Sequence, residues 1–128
     1  MGKILTEISE GELLDKLTIL EIKLKEIKSE ISLLEVKKEY KILSNIRDKH
    51  IKNSANINQL FEKLKIVNQK IWDIENLKRD CEKKQIFNDQ FIKISRDEYK
   101  ANDERARIKA EINKELESNI KEVKQHKL

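Results

Sequence analysis

Five residues whose side chains can stack, donate hydrogen bonds or carry charge repeat at helical spacing. Asn68, Trp72, Glu75, Arg79 and Glu82 lie four, three, four and three residues apart, a rhythm that keeps them on one side of a helix. Beside them runs a purely apolar seam, Ile57, Leu60, Leu64, Val67, Ile71 and Ile74. The default surface residue of this chain is Lys, so a stripe mixing Trp, Asn, Arg and Glu reads as the wall of a polar groove. A later segment repeats the arrangement: Ser95, Tyr99, Asn102, Ala106, Lys109 and Asn113 flank the seam Phe91, Ile94, Ala101, Ile108, Ile112 and Leu116, and Arg105 lies among them. A shorter version, Thr18 and Glu21, flanks the leucines near the start.

Together Thr18, Glu21, Asn68, Trp72, Glu75, Arg79, Glu82, Tyr99, Asn102, Arg105 and Lys109 form a candidate ligand-binding set. Carboxylates facing Arg and Lys in a partly dry bundle can hold a sugar or an anion. Trp and Tyr supply stacking faces, and Asn supplies amide donors and acceptors. The competing expectation is an interhelical network of ion pairs that fixes register and binds nothing.

The elements that would position these groups are helices. No proline and only two glycines, Gly2 and Gly11, interrupt 128 residues, and 41% of the chain is charged against 5% aromatic, the profile of long helices. Mean hydropathy is −0.74, yet the 38% of apolar residues keep helical periodicity, which argues against disorder. The expected fold is all-α: one domain, an antiparallel bundle of about four helices, with flexible ends at about residues 1–8 and 117–128. The first helix begins after Ser9, where Ser9 and Glu12 are spaced as a capping box. It carries the seam Leu13, Leu17, Leu20, Leu24, Ile27 and Ile31, with Ile19 and Ile22 on a second face. It must therefore be sandwiched, or pair with a second copy: a homodimer through Ile19 and Ile22 is expected. A second capping box, Ser32 to Glu35, marks a bend, followed by a helix using Leu33, Leu34, Val36, Tyr40, Leu43 and Ile46. The third helix spans about 57–83 and the fourth about 89–116.

Several chemistries are disfavoured. The 28 basic and 24 acidic residues leave +4 with signs alternating, not the clustered stripe that binds nucleic acid. Only five of the 28 are Arg, so an Arg flanking the core is a choice of its planar fork. The lone Cys81 excludes an internal disulfide and a thiolate metal cluster. His50 and His126 lie near a helix end and in the tail. There is no phosphate loop, metalloprotease motif or nucleophile elbow. Glu7 and Glu10, at the spacing of a magnesium-binding pair, precede the first helix. No metal or cofactor is expected; no catalytic residue is assigned, and whether the chain is an enzyme stays open. No apolar run approaches the roughly twenty residues of a membrane span and no signal peptide is visible, so the cytoplasm is the expected compartment.

The run from Gly11 to Lys23, Gly-Glu-Leu-Leu-Asp-Lys-Leu-Thr-Ile-Leu-Glu-Ile-Lys, resembles an uncharacterised family of helical bacterial proteins. The resemblance continues through Val67-Asn68, Ile71-Trp72-Asp73-Ile74-Glu75, Arg79-Asp80-Cys81-Glu82, Tyr99, Asn102-Asp103, Arg105-Ala106 and Ile112-Asn113, departing at Asn76-Leu77-Lys78 and in the tail. Members often lie near genes for glycosyltransferases and surface polysaccharides. The resemblance therefore implies a role in carbohydrate metabolism and adds Asp15 and Asp103 to the residues of interest, although the helical seam leaves Asp15 off its inner face. Two functions follow as expectations: binding of a small polar ligand, such as a sugar nucleotide or glycan precursor, or service as a non-enzymatic adaptor that docks on a glycosyltransferase.

Overall fold

Four polar side chains start four helices. Ser9, Ser29, Ser54 and Asn88 each accept the backbone N–H three residues on, from Glu12, Ser32, Ile57 and Phe91 at 3.0 to 3.3 Å, each cap being worth about 1 kcal/mol. In the computed structural model, which describes residues 2–124, the helices are α1 (Glu10–Glu26), α2 (Glu30–His50), α3 (Ala55–Lys84) and α4 (Asp89–Glu115). The all-α bundle is as the sequence predicts. One boundary differs: the cap of α2 is Ser29, not Ser32. The Ser29 hydroxyl captures the N–H of Ser32 and so draws Ser32 inside the first turn.

Neither α3 nor α4 ends on glycine. Gln85 and Glu117 adopt left-handed backbone, at φ 55° and 51°. At both ends the next N–H reaches back five residues: Ile86 to the Cys81 carbonyl and Ser118 to that of Asn113, each at 2.9 Å. This closure satisfies carbonyls that the helix leaves free.

Packing is organised around α1, which touches α2, α3 and α4, while α3 and α4 form a long hairpin. Leu13, Leu14 and Leu17 of α1 meet Ile57, Leu60, Leu64 and Val67 of α3 and Ala101, Ile108 and Ile112 of α4. Helix α1 is sandwiched, as its two apolar faces require. The expected dimer face is thereby corrected in part: Ile22 is buried within the chain, because it continues the line Gly11, Asp15, Thr18 that faces the α3–α4 hairpin. Helix α2 packs on α1 alone, so Leu34 and Ile46, expected in its inner seam, are exposed.

Helix α4 comes close to α1 at Gly11. A Cβ there would stand 2.7 Å from the Lys109 carbonyl oxygen and 2.6 Å from Asn113 Oδ1. In an open helix Gly→Ala gains about 1 kcal/mol; here the clash reverses the sign. Gly11→Ala is expected to lower stability by about 1–3 kcal/mol, the size of an overpacked contact. Gly2→Ala, with nothing within 4 Å, is expected to change nothing. Urea denaturation of the two variants makes the comparison.

Candidate functional site

The polar centre of the bundle is a carboxylate held from two other helices. Asp15, on α1, is 1% exposed. Its Oδ1 accepts Asn68 Nδ2 of α3 at 2.8 Å and Arg105 Nε of α4 at 2.9 Å. Its Oδ2 accepts Arg105 Nη2 and has Lys109 Nζ 3.9 Å away. The Asn68 amide also donates to Thr18 Oγ1 at 2.8 Å, and that hydroxyl donates to the Asp15 carbonyl at 2.7 Å. Lys109 donates to Glu12 at 2.6 Å. Arg is the one side chain whose fork can grip both oxygens of a carboxylate at once, and Arg105 does so.

One turn nearer the start of α1 lies a second set. The Gly11 N–H, left free in a first helical turn, donates to Asn113 Oδ1 at 2.7 Å. Asn113 Nδ2 donates to Glu122 at 2.8 Å, and the Ser9 hydroxyl donates to the other Glu122 oxygen at 2.5 Å. Ser118 adds a bond to Asn113 Oδ1 at 3.1 Å. Residues 118–124 thus run back over the start of α1, and Lys124 reaches Asp103 at 3.2 Å. Burial alone would raise the Glu122 carboxyl. The bonds from Ser9, from its own backbone and from Asn113, with Lys109 nearby, overcome that and hold it below the usual carboxylate range. A negative group beside the N-terminus of α1 is also favoured by the helix dipole.

Of the eleven residues expected at one site, Thr18, Asn68, Arg105 and Lys109 come together. Glu21 makes a separate node, accepting from Tyr40 at 3.1 Å and pairing with Lys65 at 2.9 Å. Asn102 bonds the Glu98 carbonyl of its own helix at 3.2 Å. Glu75 belongs to a third node with Glu98, which takes Lys78 at 3.4 Å. Trp72 is half-buried, and Arg79, Glu82 and Tyr99 are exposed. The stripes fail to enclose a single site because the helices differ in length. At 1.5 Å per residue, the 17 residues of α1 span about 26 Å, whereas the 30 of α3 span about 45 Å. The last turns of α3 have only α4 beside them.

Sequence reasoning missed Asp15 as the centre, together with Ser9, Glu12 and Glu122. A signal was present: Gly11, Asp15, Thr18 and Ile22 are spaced four, three and four, and a glycine inside a helix marks a close approach. The fold leaves a hollow of about 220 Å³ beside the network, lined by Asn102, Arg105, Lys109, Asn113, Glu122 and Lys124. Among the described residues, no group of three or more His, Cys, Asp or Glu is placed to hold a metal ion, and no helix is long and apolar enough to cross a membrane.

The chain belongs to DUF6165, a family of unknown function whose model matches residues 4–127, in keeping with the resemblance to an uncharacterised family. No curated protein and no solved structure matches it.

Two predictions follow from the nodes. Asp15→Ala strands Arg105 without its acceptor and leaves the Asn68 amide only Thr18 Oγ1. Breaking one side of a buried pair costs about 3–5 kcal/mol, and the loss here is expected near the lower value, since the Arg105 side chain is 30% exposed and can rehydrate. A urea-denaturation loss under about 1 kcal/mol, the size of a surface pair, would contradict it. The second concerns Glu75, which is raised above the usual carboxylate range by its hydrogen bond with Glu98, then by burial and the Glu98 charge, with Lys78 and Arg79 opposing. Glu98 Oε2 is buried with no hydrogen-bond partner among the described residues. The folded chain binds more protons here than the unfolded chain, so stability falls as pH rises from 4.5 through the raised folded value. Glu75→Gln, a mimic of the protonated form, is expected to melt above wild type at pH 7 and to lose that advantage below pH 4.5. Thermal melts across the range measure it.

Proposed function

We propose that this DUF6165 member is a non-enzymatic helical interaction module that presents its outer faces to protein partners. The observation that carries this reading is the saturation of its polar centre: Arg105 is held by Asp15, Lys109 by Glu12, and Lys124 by Asp103. A cation kept ready for an anionic ligand stands unpaired, and these three do not. The adjoining hollow, about 220 Å³, is also smaller than the 300–1,000 Å³ typical of ligand sites. A sugar nucleotide overfills it and would have to displace a carboxylate already in place. The hollow has room for one small group, such as a single phosphate.

The face best suited to a partner is the groove of about 510 Å³ between α3 and α4, where Lys63, Lys70 and Lys100, with Arg107 paired to Glu104, surround Ile66 and Ile108. The signs alternate along the sequence, yet the hairpin gathers these cations on one side. An acidic amphipathic helix fits such a groove, its apolar face inward and its carboxylates against the lysines. A glycosyltransferase of surface-polysaccharide synthesis, the partner that the sequence resemblance implies, is the proposed bearer of that helix.

Two measurements test the proposal. Thermal shift with UDP-glucose, glucose 1-phosphate and inorganic phosphate is expected to show no saturable stabilisation, whereas a ligand at a hundred times its Kd would add about 2.7 kcal/mol. Photocrosslinking in intact cells from a probe at Ile66 is expected to give a discrete adduct with another protein, lost on Lys63→Glu with Lys100→Glu. A saturable ligand effect abolished by Lys109→Met, with no crosslinked partner, would overturn the adaptor reading in favour of the hollow.

A further inference from the structure

Among the described residues nothing covers the outward face of α2. Val36, Tyr40 and Leu43 face inward, Val36 buried and the other two against the core. Opposite them, Ile31, Leu34, Ile42 and Ile46 are 80%, 66%, 52% and 41% exposed. At 3.6 residues per turn these four and Lys38 fall in an arc of about 120° centred opposite Tyr40. Four aliphatic side chains on one exposed helical stripe are the signature of a contact surface, not of scattered surface residues.

The order along the stripe says what fits it. Leu34 and Ile46 lie six residues either side of position 40, Lys38 and Ile42 two either side, and Ile31 and Lys49 nine either side. An isologous contact requires that residue i meets j while j meets i. An antiparallel pairing of two copies centred on position 40 meets that condition, with each Leu34 at the level of an Ile46 and each Ile42 beneath the methylene stem of a Lys38. Charge selects the same arrangement. Within the arc Glu35 precedes the centre and Lys49 follows it, and both are exposed. The one ion pair that α2 makes among the described residues is Arg47–Asp48, so these charges are free. Antiparallel pairing sets Glu35 of one copy about one turn from the level of Lys49 of the other; parallel pairing would set like against like. Opposed helix dipoles favour the same direction.

We infer that the outward face of α2 is a two-fold dimerisation surface of this chain, paired antiparallel about position 40. It is independent of the groove between α3 and α4, which lies on other helices, and a dimer would display two such grooves.

Sedimentation equilibrium at about 100 μM, well above the micromolar range of modest interfaces, is expected to give twice 15.2 kDa for the wild type. Ile42→Glu is expected to give the monomer mass with helix content and monomer melting unchanged, because Ile42 is exposed and touches no core. Glu35→Lys is expected to weaken association at least tenfold, and Glu35→Lys with Lys49→Glu to restore it. Direction is read by mixing Lys38→Cys and Ile42→Cys chains, each also carrying Cys81→Ser: oxidation is expected to join the two variants in preference to either with itself. A monomeric wild type at that concentration, or a dimer indifferent to Ile42→Glu, would overturn the inference.

Discussion

One buried carboxylate sets the arrangement of the bundle. Asp15 has no access to water and must find its whole complement of donors in the protein. Arg105 and Asn68 supply them from two other helices. Leucine and isoleucine seams can slide past one another by a turn at modest loss, because apolar contact is not directional. A bidentate Arg–carboxylate pair cannot, since a shift of one turn would leave a buried charge unmatched. The seams therefore make the helices associate, and Asp15 fixes the level at which α1 meets α3 and α4.

The same point ties in the end of the chain. The N-terminus of α1 presents free N–H groups, and two come to rest on side-chain oxygens: Glu12 N–H on Ser9, Gly11 N–H on Asn113. Asn113 and Ser9 in turn hold Glu122, so the segment after α4 closes over the place where α1 begins. Each member satisfies another's hydrogen bonds, which leaves the geometry of this end of the molecule over-determined.

Where that network stops, the molecule changes character. Helix α3 outruns α1, and its later turns carry Glu75, Arg79 and Glu82 out beside α4 alone. There Glu98 and burial raise the Glu75 carboxyl above its usual range, and Arg79 faces solvent. On the other flank, α2 is supported from one side only and keeps four aliphatic residues in water. An internally paired centre with under-covered flanks is what supports the proposed role as an interaction module.

The sequence by itself determined the helices, their approximate limits and the apolar seams, because periodicity, Ser and Asn caps and the lack of proline are local properties. It also determined that α1 needed cover on more than one face, from the positions of Ile19 and Ile22. What it could not determine was which polar stripe faced which. Thr18, Asn68, Arg105 and Lys109 converge, while Tyr99 and Glu82 do not. Spacing within a helix fixes a direction about its own axis but not the level at which a second helix crosses it. Asp15 shows the difference most plainly. On a helical wheel it lies off the leucine seam. Only when Gly11 lets α4 approach does that flank of α1 become interior, and the carboxylate there becomes the group to which three helices are tied.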